Sequence, residues 1–235
     1  MSTDKQLVTV GWLPMEPSLL APEGELAGTV DVPSTVLLLR RTAGTVLVDA
    51  GSGPLVGEWP GSGDDLAGAL AAAGCALDQI DLVVLTHLDF DHCGGCLLLP
   101  GVPVVAPAGA EPSSEGSERV VAQLVSEGRL SWIADDGEAS DGLRLRSAPG
   151  HRSGHSLLEV DGGLVHLADV VHHPLHVQHP DWDHAFDSDP ELARATRTGV
   201  LAEMAEREVL VSASHIEGLG RIQRWAAGGL SWQPQ

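Results

Sequence analysis

The sequence predicts an α/β fold. Short apolar runs with the length of buried strands alternate with helical stretches, and several of these runs end directly at an Asp or a His. The chain has 235 residues, which is enough for one large α/β domain with a full core. We therefore predict a single domain over residues 1–235. A content of 43% hydrophobic and 20% charged residues is ordinary for a globular protein.

The predicted elements follow one another as an early β region, a short helix, and then alternating strands and helices. Strands are predicted at residues 35–39, 45–49, 82–86, 104–106, 143–147, 157–160, 164–168 and 209–211. Helices are predicted at residues 64–73, 117–127 and 190–206.

The last helix has the clearest start, because Asp189 can cap it and Pro190 suits its first position. Arg197 falls inside the apolar arc of this helix. A buried arginine needs an acidic partner, and Asp187 and Asp189 are near in sequence. We interpret Arg197 as a structural residue that holds the helix down.

The segment from Thr86 to Gly95 reads THLDFDHCGG and follows the apolar run at 82–85. It places two imidazoles and two carboxylates at the end of a predicted buried strand, where α/β proteins carry their chemistry. Such a cluster would destabilise a plain core, whereas it suits the binding of one or two divalent metal ions. The four side chains are His87, Asp89, Asp91 and His92.

Further apolar runs also end in possible ligands. His151 lies in a Gly-containing turn after the strand at 143–147, and the glycines let the backbone turn sharply there. Asp169 follows the strand at 164–168, and His215 comes shortly after the strand at 209–211. Asp49 ends the strand at 45–49. This recurrence indicates one site that is assembled from distant parts of the chain.

Together these features resemble the metallo-β-lactamase superfamily. Its His-x-His-x-Asp-His motif falls on residues 87–92, its next histidine on His151, its bridging aspartate on Asp169 and its last histidine on His215. The stretches at 150–156, 168–174 and 214–221 are most similar to the branch of quorum-quenching lactonases and methyl-parathion-hydrolase-like proteins. The resemblance implies a four-layer αββα sandwich.

The resemblance also implies two metal sites that share Asp169. Site 1 comprises His87, Asp89, His151 and Asp169, and site 2 comprises Asp91, His92, His215 and Asp169. It further implies that Asp91 shuttles a proton, a role that does not exclude ligation. We expect Asp49 to orient a ligand histidine, with a turn-capping role as the alternative.

One position departs from the family pattern, because Asp89 stands where a second histidine is usual. The added carboxylate is expected to make site 1 harder and less Lewis-acidic. Iron or manganese then becomes a plausible cofactor alongside zinc. A glutamate holds this position in the flavodiiron branch, which carries out redox chemistry. The chain also has no tyrosine, so the tyrosine hydroxyl that assists the best-known lactonases must be absent or replaced.

The resemblance thus implies a dinuclear metal-dependent hydrolase. Its two divalent ions, most simply zinc, would supply a hydroxide that cleaves a lactone, ester or thioester of a small neutral substrate. The alternatives are an iron or manganese oxygenase or other redox enzyme of the same fold, and a non-catalytic binding module.

Charge and composition restrict the partners. The net charge of −20 argues against nucleic acid, for which a basic face is expected, and favours a small neutral molecule. No apolar run is long enough to span a bilayer and no export signal is visible, so we expect no membrane partner and a cytoplasmic location. These features are also compatible with a homodimer.

The three cysteines suit a reducing compartment without a disulfide framework. Cys93 and Cys96 have the spacing of a redox or zinc motif, but no second pair accompanies them, so packing is favoured.

The remaining histidines have weaker assignments. We expect His155 to form supporting hydrogen bonds and His166 to be a satisfied core residue. His172 and His173 either line the pocket or take a surface or supporting role. The segment at 174–186, which contains His176, His179 and His184, is expected to form a pocket wall.

Overall fold

Two seven-stranded sheets pack face to face, with helices on their outer sides. The structure is a computed structural model, and it describes residues 3–134, 136–225 and 228–235. This arrangement is the predicted four-layer αββα sandwich. No helix in these ranges is both long and apolar enough to cross a membrane.

The first sheet has the strand order β4-β1-β2-β3-β5-β6-β7. Its strands are β1 (Asp4–Met15), β2 (Val30–Arg41), β3 (Gly44–Val48), β4 (Gly63–Asp64), β5 (Leu82–Val84), β6 (Val104–Pro107) and β7 (Leu130–Ile133). β1, β2 and β3 pair antiparallel, whereas β3, β5, β6 and β7 pair parallel. The helices of this half are α1 (Leu66–Ala72), α2 (Phe90–Cys93) and α3 (Glu115–Ser126).

The second sheet has the order β14-β13-β12-β11-β10-β9-β8. Its strands are β8 (Glu138–Ser140), β9 (Leu143–Ser147), β10 (Ser156–Val160), β11 (Leu164–His166), β12 (Leu210–Ala213), β13 (Ile216–Arg224) and β14 (Leu230–Pro234). β11 and β12 form its parallel pair. The helices are α4 (Pro174–Gln178) and α5 (Pro190–Arg207).

Three apolar layers hold the sandwich together. The layer between the sheets joins Leu37, Leu39 and Val84 of the first sheet to residues such as Leu145 and Leu158 of the second. The opposite face of the first sheet packs against α1 and α3, and that of the second packs against α4 and α5. Strands covered on both faces read as continuous apolar runs, which explains why β2, β5 and β11 were recognisable in sequence.

Two backbone hydrogen bonds join the sheets at the edge where the strand ends meet. The amide of Ser156 donates to the Thr86 carbonyl at 3.0 Å, and the amide of Thr35 donates to the Ser214 carbonyl at 3.0 Å. Thr86 precedes the His/Asp motif and Ser214 precedes His215. These bonds therefore set the spacing between the ligand-bearing loops of the two halves.

Every predicted strand and helix corresponds to an observed element, and the bounds of the strand at 143–147 match those of β9, whereas the other bounds differ. Five strands of three residues or more were not predicted: β1, β7, β8, β13 and β14. α3 begins at Glu115 because Ser114 caps it, two residues before the predicted start.

The clear start of α5 is confirmed. The Asp189 side chain accepts a hydrogen bond from the amide of Leu192, and Pro190 occupies the first turn. Arg197 is 1% exposed and lies 3.5 Å from a carboxylate oxygen of Asp187, the acidic partner that its burial requires.

Gly95 lets the segment after α2 lie directly on the loop that follows β3. Its amide donates to the Gly51 carbonyl at 3.0 Å, and an added Cβ would collide with the backbone carbonyl of Ala50. Cys93 and Cys96 flank this contact and are fully buried in the core. The favoured packing role fits their location.

We predict that Gly95→Ala lowers the free energy of unfolding by about 1–3 kcal/mol, because backbone atoms must move apart to admit the methyl group. Gly199→Ala is the matched control. Gly199 lies exposed in α5 with open space around it, so this change should stabilise the protein by about 0.5–1 kcal/mol. Urea denaturation measures both values. Equal effects of the two substitutions would contradict the close contact at Gly95.

Candidate metal centre

The His/Asp motif starts at the end of β5 and continues into the one-turn helix α2. The neighbouring strands hold β5 parallel on both sides, so its carboxyl end is rigid. All four predicted ligands of the motif are buried, and His87 is fully enclosed. Because only a few residues separate the end of β5 from α2, side chains from the strand end and from the helix lie on the same side of the sheet edge. The four are His87, Asp89, Asp91 and His92.

The second sheet delivers the remaining predicted ligands to the same place. His151 comes from the loop between β9 and β10, Asp169 follows β11, and His215 follows β12. One carboxylate oxygen of Asp169 lies 3.4 Å from His151 Nε2 and 3.2 Å from His215 Nε2. Its other oxygen lies 3.3 Å from His92 Nε2. All seven residues predicted as metal ligands are therefore brought together.

The seven side chains separate into two groups around Asp169. His87, Asp89 and His151 form one group, in which the ligand atoms all lie within 4.8 Å of one another. Asp91, His92 and His215 form the other under the same limit. Two further groups under the same limit, His87 with His92 and Asp169, and His151 with Asp169 and His172, share members with these, so Asp169 lies between the two expected ligand sets.

The donor atoms fit divalent metal ions. Nε2 of His87, His92 and His151 and Oδ1 of Asp169 are buried and have no hydrogen-bond partner among the described residues. Leaving such atoms unpaired is costly, and a cation would satisfy them together. The observed separations of 3.2–3.9 Å are close to the edge of a coordination tetrahedron, about 3.4 Å for bonds near 2.1 Å.

Each of the four predicted ligand histidines is held by a hydrogen bond at its Nδ1 ring nitrogen. The partners of Nδ1 are the Thr86 hydroxyl for His87 at 3.0 Å, Asp49 for His92 at 2.8 Å, Asp187 for His151 at 3.2 Å, and the Pro33 carbonyl for His215 at 2.9 Å. With Nδ1 engaged, Nε2 points to the centre of the site. This pattern orients the ring of a metal-binding histidine and sets its tautomer.

Asp49 supports the motif at three points. Its carboxylate accepts from the amide and from the hydroxyl of Thr86, each at 2.8 Å, and it contacts His92 Nδ1. Its φ of 57° is in the left-handed region, which Asp tolerates better than most residues. These contacts place Asp49 behind the predicted ligand His92, which fits the expected orienting role.

The electrostatics of the cluster favour cations. Desolvation lowers the pKa of His87 and of His151 well below the ordinary value, which keeps both rings neutral and able to bind metal. Desolvation also acts on His92, but the carboxylates of Asp169, Asp49 and Asp91 outweigh it and raise its pKa. A proton on His92 thus balances carboxylate charge that a divalent ion would balance when bound.

Asp89 has a basic partner that was not predicted. Nε of Arg152 donates to both oxygens of the Asp89 carboxylate, at 2.8 and 3.0 Å. Arg152 directly follows a ligand histidine in sequence, and that adjacency was the available signal.

The sequence allows His172 to line the pocket or to take a surface or supporting role, and the structure places it at the pocket floor. Its Nε2 is 3.2 Å from a carboxylate oxygen of Asp169, and its ring stacks on His215 at 5.1 Å between centroids. Burial lowers its pKa to about 4, so the ring is neutral at pH 7.

The predicted supporting histidines take their expected places. His155 Nδ1 lies 2.7 Å from the Ala148 carbonyl oxygen, and its Nε2 accepts from the Asp169 amide. His166 is fully buried, with Nδ1 2.9 Å from the Ser212 hydroxyl.

His172, His176 and His184 form another group with metal-compatible spacing. The hydrogen bonds of His176 already occupy both ring nitrogens, one with the His172 amide and one with the Leu20 carbonyl. The guanidinium of Arg197 contacts His184 Nε2, and its charge opposes a cation there. We interpret this group as packing behind the pocket floor. His173 caps α4 and His179 is exposed.

A cavity of about 240 Å³ opens above the centre. Its floor contains ligand residues from both groups together with His172 and Arg152. Apolar and aromatic side chains form much of its wall: Leu13, Met15, Trp59, Phe90 and Phe186. Phe186 is the one lining residue from the segment at 174–186 that was expected to form a wall.

Comparison with known proteins identifies the family. The sequence profile of the metallo-beta-lactamase superfamily matches residues 29–178, and the chain belongs to this superfamily. A curated N-acyl homoserine lactonase from Bacillus sp is 26% identical over 162 residues. The match covers 61% of this chain and 63% of that relative, so the chain spans somewhat less than two thirds of its length.

Solved structures support the fold. AidC, a dizinc quorum-quenching lactonase in complex with a product, has a TM-score of 0.84 at 22% identity and covers 100% of this chain and 95% of its own. The hydrolase AbOPH of the beta lactamase superfamily has a TM-score of 0.87 at 19% identity and covers 99% of this chain and 94% of its own.

We predict that Asp49→Asn weakens metal binding by about 10- to 100-fold, the range for loss of a group that orients a ligand. Asparagine keeps the shape and tolerates the backbone angle, but it loses the charge opposite His92. Asp78→Asn, an exposed change of the same charge, is the control. Competition with a chromophoric chelator measures both affinities. Unchanged affinity in Asp49→Asn would contradict the orienting role.

Proposed function

We propose that this protein is a dinuclear metal-dependent hydrolase of small neutral lactones, esters or thioesters. One observation carries the proposal: imidazole and carboxylate atoms that have no hydrogen-bond partner in the described part of the chain converge around Asp169, at the buried floor of a cavity whose wall is largely apolar. His87, Asp89 and His151 would hold one ion and Asp91, His92 and His215 the other, and Asp169 would be shared by both sites.

When bound, two divalent ions polarise a carbonyl oxygen and lower the pKa of water toward about 7. The protein residues orient the substrate and move protons. Asp91 lies at the cavity floor, 3.6 Å from His215 Nε2, and desolvation raises its pKa. A carboxylate in this position can accept the proton of the attacking water and pass it to the leaving group.

Lactones are the first substrate class to test. The curated relative is an N-acyl homoserine lactonase and one structural neighbour is a dizinc lactonase. The side chains of Leu13, Met15 and Trp59 offer an apolar surface for an acyl group. The net charge of −20 disfavours anionic substrates. We propose zinc as the metal. We also propose that the protein is cytoplasmic.

A redox enzyme with iron or manganese is the second candidate, and the carboxylate of Asp89 in site 1 is the observation that favours it. Visible spectroscopy and metal analysis of protein purified without added metal separate the two. Two zinc ions, no colour and cleavage of lactones or esters support the hydrolase. Stoichiometric iron with an oxygen-sensitive absorption band supports the redox enzyme. Two bound metals without turnover on either kind of substrate would leave a binding module.

Asp169→Ala is predicted to lose both metal ions and nearly all hydrolysis, because both groups depend on the shared carboxylate. Metal content after dialysis and the rate of lactone opening measure this. The control Asp161→Ala, at an exposed position, should retain both metal ions and the rate of lactone opening. An Asp169→Ala protein that retained two ions would refute the bridging role.

His172 is proposed to replace the tyrosine hydroxyl that the chain lacks. Its Nε2 faces the oxygen of Asp169 that also lies near His151 and His215, so a substrate oxygen bound above this point comes within reach of the ring. In this structure the Nε2–H of His172 points to Asp169. With that carboxylate held by metal ions, the neutral imidazole would be free to donate this hydrogen bond to the charge that develops on the substrate oxygen.

We predict that His172→Phe lowers kcat by about 10²-fold, in the range for loss of one donor to a developing oxyanion. Phenylalanine preserves the stack with His215, so both metal ions should remain bound. His179→Phe, an exposed change in the same segment, is the control. An unchanged kcat would contradict the role, and loss of one ion would show that His172 is a ligand instead.

A further inference from the structure

Asp89 faces two kinds of cationic partner at once. Its Oδ2 lies 3.9 Å from His87 Nε2 and 3.8 Å from His151 Nε2, which places it at the corner of proposed site 1. The same carboxylate accepts hydrogen bonds from Nε of Arg152 at 2.8 and 3.0 Å. The carboxylate is thus shared between the metal position and a fixed guanidinium.

Arg152 is anchored independently of Asp89. Its Nη1 donates to the backbone carbonyls of His151 and Phe186 and, at 3.3 Å, to the Ser188 hydroxyl. The side chain is only 22% exposed. Two loops of the second sheet therefore hold the guanidinium beside the predicted ligand position. Such a positive charge close to two divalent ions is unfavourable unless a carboxylate lies between them.

We propose that Asp89 and Arg152 act as one unit that replaces the second histidine of the family motif. The inference rests on the dimetal site of the proposed function. The carboxylates of Asp89, Asp91 and Asp169 with one guanidinium leave two net negative charges. The usual motif with a histidine at this position has two aspartates and therefore the same charge.

The pairing changes what the Asp89 carboxylate offers to a metal. A carboxylate that accepts a charge-assisted hydrogen bond, here one Nε–H shared between its two oxygens, gives up part of its electron density to the guanidinium. It therefore binds a metal more as a neutral imidazole does than as a free carboxylate does. Arg152 thus offsets the hard, less Lewis-acidic character expected from the aspartate alone, and zinc at site 1 is favoured. The two residues should be replaceable only together.

A double-mutant cycle tests the unit. The wild-type protein, Asp89→His, Arg152→Met and the double variant are each dialysed, and metal content and Zn²⁺ and Mn²⁺ affinities are measured by competition with a chelator. Asp89→His alone leaves the guanidinium facing the cations and should weaken Zn²⁺ binding at site 1 by at least about tenfold. The double variant should return to within about threefold of wild type, because the charge and the ligand type then match the histidine pattern.

Arg152→Met alone should move the preference from Zn²⁺ toward Mn²⁺ by at least about tenfold, since the free carboxylate is a harder ligand. Arg194→Met is the matched control, because Arg194 forms a similar pair with Asp183 at an exposed site. It should change neither affinity nor preference. If Asp89→His does not fold, Asp89→Asn is measured instead, once with Arg152 present and once combined with Arg152→Met. Arg152→Met is again expected to relieve the loss of Zn²⁺ affinity.

The possible outcomes test the Asp89–Arg152 unit and the dimetal site separately. Additive effects of the two single changes would overturn the unit while leaving the dimetal site intact. A wild-type protein that binds fewer than two ions would contradict the proposed function and the unit with it. Coupling with rescue in the double variant supports both, and it does so without reference to any substrate.

Discussion

The structure depends on the charge of one buried carboxylate. Asp169 is 3% exposed and lies between imidazoles that come from both sheets. Desolvation acts against its ionised form, but His92, His215 and His172 outweigh that effect and hold its pKa well below the usual value. A buried carboxylate of this kind is tolerable only with cationic partners close by, and the fold arranges its loops to provide them.

The sandwich supplies the required precision by joining its halves next to the site. Thr86 receives a backbone hydrogen bond from Ser156 of the second sheet, and its own hydroxyl contacts His87. Thr35 of the first sheet binds the Ser214 carbonyl through both its amide and its hydroxyl. The residues that fix the distance between the sheets are therefore neighbours of the ligands. A change in packing at this edge would move both ligand groups relative to Asp169.

Much of the site was predictable because the proposed metal ligands lie where apolar strands end. His87, Asp169 and His215 each follow a run whose burial was evident from composition alone, and the structure brings them together. β1 and β13 were missed because polar residues and glycines interrupt their apolar pattern, and β7 was missed because half of its side chains are exposed. Pairing with a neighbouring strand, rather than local pattern, makes these segments extended.

The partners of the ligands could not be derived from sequence spacing. Asp187 reaches His151 across 36 positions, and the Pro33 carbonyl reaches His215 across 182. Such contacts arise from how loops close over the sheet edge, and no local preference encodes them. The Arg152–Asp89 pair is of the same kind, since its members are 63 positions apart. The pair alters how Asp89, the one departure from the family motif, is expected to bind a metal ion. The motif by itself does not indicate that Arg152 is the partner.

The most direct measurement is a crystal structure of the protein grown with excess zinc, with anomalous data collected on both sides of the zinc absorption edge. We expect two anomalous peaks, one on each side of the Asp169 carboxylate. One should lie within bonding distance of His87 and His151, and the other within bonding distance of His92 and His215. An ordered site with no peak between these side chains, or with their ring nitrogens turned away from one another, would contradict the dimetal centre.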